Sequence, residues 1–96
     1  MRYALISDIH ANLAALTQAL RWIDDLGVDA VVCLGDIVGY GPNPIECLDL
    51  VMSRCRAAIM GNHDFAVLYE PTNFNPGAEQ AAFWTRDQFR TRCLRR

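Results

Sequence analysis

The chain opens on an apolar run, Tyr3-Ala4-Leu5-Ile6, with no polar interruption, which is the pattern of a strand buried on both faces of a parallel sheet. After Ser7-Asp8-Ile9-His10, apolar residues recur at Leu13, Leu16, Leu20 and Ile23, three, four and three apart. That spacing predicts an amphipathic helix, capped by Asn12 and ended by Gly27. A second apolar run, Ala30 to Leu34, follows at once. Strand, helix and strand in about thirty residues make a βαβ unit, which crosses over right-handed.

The second run stops at Gly35-Asp36, and a glycine- and proline-rich loop leads to Asn43-Pro44-Ile45-Glu46. This is a helix start: a cap residue, a proline at the first helical position and a glutamate three after the cap. Ile45, Leu48, Met52 and Cys55 carry the helix on at three, four and three, and Arg54 and Arg56 suit the negative end of its dipole. Ala57 to Met60 predicts a third strand and a second βαβ unit. Phe65 to Tyr69 reads as a helical turn and Pro71 to Gly77 as an irregular loop. A last helix is expected from Ala78 to about Cys93, with Ala78, Ala82, Thr85 and Phe89 on one face beside Trp84. The predicted class is α/β, in the order βαβαβα, with a three-stranded, mostly parallel sheet in a single domain over residues 1–96.

Composition narrows this picture. Ninety-six residues make one domain at most, and at that size roughly 60 to 65 per cent of the unfolded surface can be buried, so the core is thin. A hydrophobic content of 52% fits a folded chain rather than a disordered one. No apolar run approaches the ~18 to 20 residues that cross a bilayer, and Met1-Arg2-Tyr3 enters a strand without the pattern of a signal peptide. A cytoplasmic protein with no membrane partner is expected. The 4 cysteines, Cys33, Cys47, Cys55 and Cys93, sit singly in apolar patterns and read as reduced core residues. Residues 1–84 hold ten acids and four arginines, net −6, whereas residues 85–96 hold one acid and five arginines, net +4, which together give the −2 of the whole chain. Such a tail can touch nucleic acid, but nothing else in the chain supports that, and its ordinary role is to solvate a terminal helix.

The polar residues with chemistry to offer fall at three strand exits: Asp8-x-His10, Gly35-Asp36 and Gly61-Asn62-His63-Asp64. Parallel strands point the same way, so these groups should gather on the sheet edge where open α/β sheets bind ligands. Neighbouring strands lie about 4.8 Å apart, ligand bonds to a divalent metal are about 2.0 to 2.2 Å, and paired catalytic ions stand about 3.5 to 4 Å apart. A carboxylate from a middle strand could therefore bridge two ions, and Asp36 is that residue if its strand is central. Each motif alone has a duller reading: a helix-capping aspartate, a packed histidine, a tight turn. Both histidines of the chain, however, fall within the motifs. Other site types fail. Pro42 and Pro44 remove donors that a dinucleotide loop after Gly39-x-Gly41 needs, no lysine exists for a phosphate-binding loop, and Ser7 near His10 lacks a third partner for nucleophilic catalysis.

Asp8-x-His10, Gly35-Asp36-Ile37-Val38-Gly39-Tyr40-Gly41-Pro42 and Gly61-Asn62-His63-Asp64, in that order, resemble the motifs of the calcineurin-like metallophosphoesterases, and most closely those of a small prokaryotic phosphodiesterase branch. The resemblance implies half of a metallophosphoesterase α/β sandwich and a phosphoesterase or phosphodiesterase in which two metal ions activate hydroxide. It implies Asp8 and His10 on a first ion, Asp36 on both, Asn62 on the second, His63 catalytic at the leaving group and Asp64 holding the His63 ring. Gly39, Tyr40 and Gly41 would wall the cleft that takes a phosphate ester substrate. Two divalent ions are implied, manganese foremost, with iron, zinc, nickel or cobalt as other candidates. Family members carry a later Gly-His-x-His motif and another histidine, which do not occur here. The expectation is thus an N-terminal half, its site completed by self-association or a second chain, with one apolar sheet face left open. The alternative is a catalytically incomplete metal-binding remnant or interaction module.

Overall fold

In a computed structural model, which describes residues 1–69 and 74–95 with side chains through residue 90, three parallel strands run in the spatial order β1-β2-β3. They are β1 (Tyr3–Ile6), β2 (Ala30–Cys33) and β3 (Ala57–Ala58), interleaved with α1 (Leu13–Leu26) and α2 (Pro44–Arg54) and followed by α3 (Asn62–Leu68) and α4 (Pro76–Arg95). Among the described residues no helix is long and apolar enough to cross a membrane.

Helix α1 is bounded as its sequence dictates. The Asn12 side chain accepts a hydrogen bond from the Ala15 N–H, and Gly27 closes the helix in the left-handed conformation at φ 67°. Its buried stripe, Leu16, Leu20 and Ile23, packs into a core with Val31 and Cys33 of β2, Cys47 and Val51 of α2, Ala66 and Val67 of α3 and Ala82 of α4.

Four local expectations are corrected. At α2, Asn43 precedes the helix, but its amide donates to the Glu46 carboxylate at 2.9 Å and makes no side-chain bond to the backbone. Strand β3 ends at Ala58, two residues short of Met60. Helix α3 begins at Asn62 rather than near Phe65, because the Asp64 carboxylate accepts the Gly61 N–H at 3.0 Å and so ties down the helix entry. Helix α4 begins at Pro76, where Asn75 accepts the Ala78 N–H at 2.9 Å, so that Asn-Pro opens this helix as it opens α2. Residues 70–73 of the expected loop and the arginine side chains beyond Arg90 lie outside the described residues.

The fifth correction concerns β1. Ala4 and Ile6 pack against the core, but Tyr3 and Leu5 are 51% and 64% exposed, so the strand is covered on one face only. Topology explains this. The order β1-β2-β3 steps in one direction across the sheet, and two right-handed crossovers made in the same direction lay α1 and α2 on the same side. The face of Tyr3 and Leu5 receives no helix from either crossover. Cys33 and Cys47 are buried free thiols and Cys55 is a half-buried one, as expected of reduced core cysteines, while Cys93 lies beyond the described side chains.

Candidate metal centre

The central strand is β2, and Asp36 leaves it between the exits of β1 and β3. Pairing does not stop where the strands do. The Leu34 N–H bonds the Ile6 carbonyl, Asp8 N–H the Gly35 carbonyl, His10 N–H the Asp36 carbonyl and Ala11 N–H the Ile37 carbonyl, at 2.8 to 3.1 Å. The two loops are thus zipped together along their length. Along that zip Asp8, His10, Ala11 and Asp36 all have left-handed backbone, at φ 55°, 48°, 58° and 54°, as does Tyr40 at 65°. For residues other than glycine that conformation costs roughly 1 to 2 kcal/mol each. Such strain persists where the surroundings over-determine it, and it clusters at functional sites.

The outcome is a convergence of donors. Asp8, His10 and Asp36 each offer one ligand atom, and these atoms lie within 4.8 Å of one another. Asp8 is exposed, and its oxygens face the His10 Nε2 at 3.5 Å and the Ser7 hydroxyl, which donates at 2.7 Å. That hydroxyl bond is the first cause of a lowered Asp8 pKa, with His10 contributing and burial opposing. Ser7 is directed at Asp8 and not at His10, contrary to a serine nucleophile. The His10 Nδ1 faces the Val38 carbonyl at 3.4 Å. A carbonyl can only accept, so a proton on Nδ1 would satisfy this contact and leave Nε2, the nitrogen nearer Asp8, as the one able to take a cation.

The third strand exit closes on Asp36 from the other side. The His63 N–H donates to Asp36 Oδ1 at 2.9 Å. Gly61 lies against the Asp36 carboxylate so closely that a Cβ there would overlap it, and a Cβ on Gly35 would come 2.6 Å from the Gly61 nitrogen. Both motifs begin with glycine because their backbones touch. Asn62 stands between Gly61 and His63, an exposed residue at the first position of α3.

The His63 ring packs against His10, Tyr40 and Phe74, with centroids at 4.7, 4.6 and 4.7 Å. Gly39 leaves the space beside it; a Cβ there would come 2.9 Å from His63 Nδ1. Burial lowers the His63 pKa, His10 lowers it further, and Asp36, Asp64 and Asp8 oppose. The net shift favours the neutral imidazole.

Asp64 does something other than brace that ring. It is buried, and its two oxygens accept the Val38 and Gly61 N–H groups, both at 3.0 Å. It ties the second motif's loop to the third motif's backbone. The sequence pattern carried no sign of Val38 as the hub of this arrangement, since its part is played by main-chain atoms, nor of Phe74, which lies in an irregular stretch. Tyr40 and Gly39 were legible from their motif. An open apolar groove of about 340 Å³, bounded by Leu48, Met52, Ile59, Met60 and Phe89, reaches Val38 and Asp64 but is lined by none of Asp8, His10, Asp36, Asn62 or His63.

The chain matches the sequence profile described as calcineurin-like phosphoesterase over residues 1–94. It is 42% identical over 94 residues to an uncharacterized protein of Methanocaldococcus jannaschii, covering 96% of this chain and 39% of that one. It is 36% identical over 67 residues to the symmetrical bis(5'-nucleosyl)-tetraphosphatase of Proteus mirabilis, covering 67% of this chain and 24% of that one. The crystal structure of a metallophosphoesterase from Sphaerobacter thermophilus superposes with a TM-score of 0.72 at 47% identity, covering 92% of this chain and 36% of the other. The chain thus spans well under half the length of each.

Proposed function

Because the chain belongs to the calcineurin-like phosphoesterase family, we propose that it forms part of the catalytic centre of a metal-dependent hydrolase of phosphate esters, phosphodiesters among them. The observation that carries this reading is the convergence of Asp8, His10 and Asp36 at the exits of adjacent strands, with ligand atoms within 4.8 Å of one another. Asp8 and His10 would hold a first ion, Asp36 would serve both, and Asn62 would hold the second. The donor set, oxygens and an imidazole without thiolate, suits manganese, iron, zinc, nickel or cobalt, and manganese is the ion we assign. When bound, the ions supply Lewis acidity toward phosphate oxygens and a nucleophile drawn from water.

The protein's own residues do the rest. The Val38 carbonyl holds the His10 tautomer that leaves Nε2 free. The His63 N–H fixes one oxygen of Asp36 and leaves the other for a cation. The His63 ring, confined by Tyr40, Phe74 and Gly39, stands beside the carboxylates, where its N–H would hydrogen-bond the leaving oxygen as negative charge develops there.

The test is hydrolysis of bis-p-nitrophenyl phosphate in the presence of Mn2+. Asp36→Asn should lower turnover by roughly 100-fold or more, beyond the loss an outer-shell contact gives. Turnover unchanged in that variant would sink the assignment. No turnover at all, with metal binding retained, would favour a catalytically incomplete metal-binding or interaction module.

A further inference from the structure

We propose that Arg86 of α4, which lies outside the three motifs, is a positioning residue that holds Asn62 and His63 in place by gripping the opposite end of α3. The starting point is the shortness of α3, seven residues. Helices below about 12 residues do not hold their shape alone in water, so the placement of its first turn depends on what grips it. At its N-terminal end the grip is the Asp64 carboxylate on the Gly61 and Val38 N–H groups and the Asp36 carboxylate on the His63 N–H. At its C-terminal end the last carbonyls have no partner within the helix. Arg86 supplies them: Nε donates to the Val67 carbonyl at 2.7 Å, and Nη2 to those of Ala66 at 3.0 Å and Tyr69 at 2.5 Å.

One guanidinium thus spans three carbonyls at the negative end of a helix, where a cation is favoured and a planar fork of donors fits several acceptors at once. Its own direction is set by the Phe83 ring, 5.2 Å below the guanidinium carbon. A seven-residue helix is about 10 Å long, so a pivot of roughly 5° at one end moves the other by about 1 Å, more than the ~0.5 Å a functional constellation tolerates. Arg86 touches none of the candidate ligands, and its effect on them passes through α3.

That α3 presents a metal ligand rests on the function proposed above, whereas the grip itself does not, and the experiment separates the two. Amide exchange is followed by NMR in the metal-free chain for the wild type, Arg86→Ala and Arg86→Lys. In Arg86→Ala the Gly61 and His63 amides should exchange roughly tenfold faster or more, with α1 and β2 amides unchanged, since only a local opening is eased. Arg86→Lys, which keeps the charge but not the fork, should fall between. Unchanged exchange at Gly61 and His63, or acceleration spread equally through α1 and β2, overturns the proposal. A parallel Mn2+ titration should show about tenfold weaker binding in Arg86→Ala. If the wild type binds no Mn2+, the metal reading falls while the exchange data still decide the role of Arg86.

Discussion

Replacing Asp64 by asparagine separates a structural tie from a catalytic brace. The carboxylate is 8% exposed and accepts the Val38 N–H on one oxygen and the Gly61 N–H on the other, both at 3.0 Å. Asparagine has the same shape but a single acceptor. Whichever way the amide turns, its NH2 meets a backbone N–H, so one bond is replaced by two opposed donors. A hydrogen bond to a charged group contributes about 1.5 to 3 kcal/mol, and a buried N–H left unpaired costs about 1 to 3. Part of that loss is offset because a buried charge is removed. The net expectation is a destabilisation of about 2 to 3 kcal/mol, a large share of the ~5 to 15 that hold a domain together. With a urea slope of about 1 to 3 kcal/mol per molar, the midpoint of a circular-dichroism unfolding curve should fall by roughly 1 M. Were Asp64 instead bracing the His63 ring, the asparagine variant would keep its midpoint and show a displaced His63 titration by NMR. A midpoint within about 0.2 M of wild type would refute the two-bond account.

Two further outcomes follow from the same geometry. Gly39→Ala places a methyl 2.9 Å from His63 Nδ1 at a residue whose φ is +95°, and should destabilise the chain by about 1 to 2 kcal/mol while changing the His63 ring environment in 1H–13C spectra; unchanged His63 shifts would contradict the packing described. Burial of the Cys47 thiol, with Glu46 adding to it, pushes its pKa from 9.0 up to about 11. The folded state therefore holds that proton longer than the unfolded state does, so this contribution to stability is intact below pH 9 and is lost as the pH rises toward 11. Chemical unfolding between pH 8 and 11 should show the decline, with a shallower slope in Cys47→Ala; an equal slope in that variant would dismiss the assignment.

Much of the fold was legible in local pattern. The three-four-three spacing of α1, the Asn12 cap and the left-handed Gly27 are short-range effects, decided by neighbours within a turn or two. For α2 the Ile45, Leu48, Met52 and Cys55 spacing marked the helix but not its buried side, which is Pro44, Cys47 and Val51, while Met52 is exposed and Cys55 follows the last turn. The boundaries of α3 and α4 were less legible, although the second Asn-Pro pair at Asn75-Pro76 was a usable sign for α4. For α3 the deciding group was the Asp64 carboxylate, read from its motif as a partner for the His63 ring. In the folded chain that carboxylate meets the N–H of Val38, 26 residues earlier, as well as that of Gly61.

The sequence by itself determined which residues stand at the strand exits, because an apolar run that stops at an aspartate places that aspartate at a strand's end wherever the strand comes to lie. It also pointed to parallel strands, since a helix of about strand length running back along the sheet returns the chain to the end where the strand began. Tertiary structure alone decided that Asp36 is central, that Tyr3 and Leu5 are the residues of the open sheet face, and that Val38, Phe74 and Arg86 support the site. These depend on strand order and on contacts between main-chain atoms distant in sequence. A backbone carbonyl or N–H is present at nearly every residue, so nothing in a string of side chains distinguishes the one that will be used.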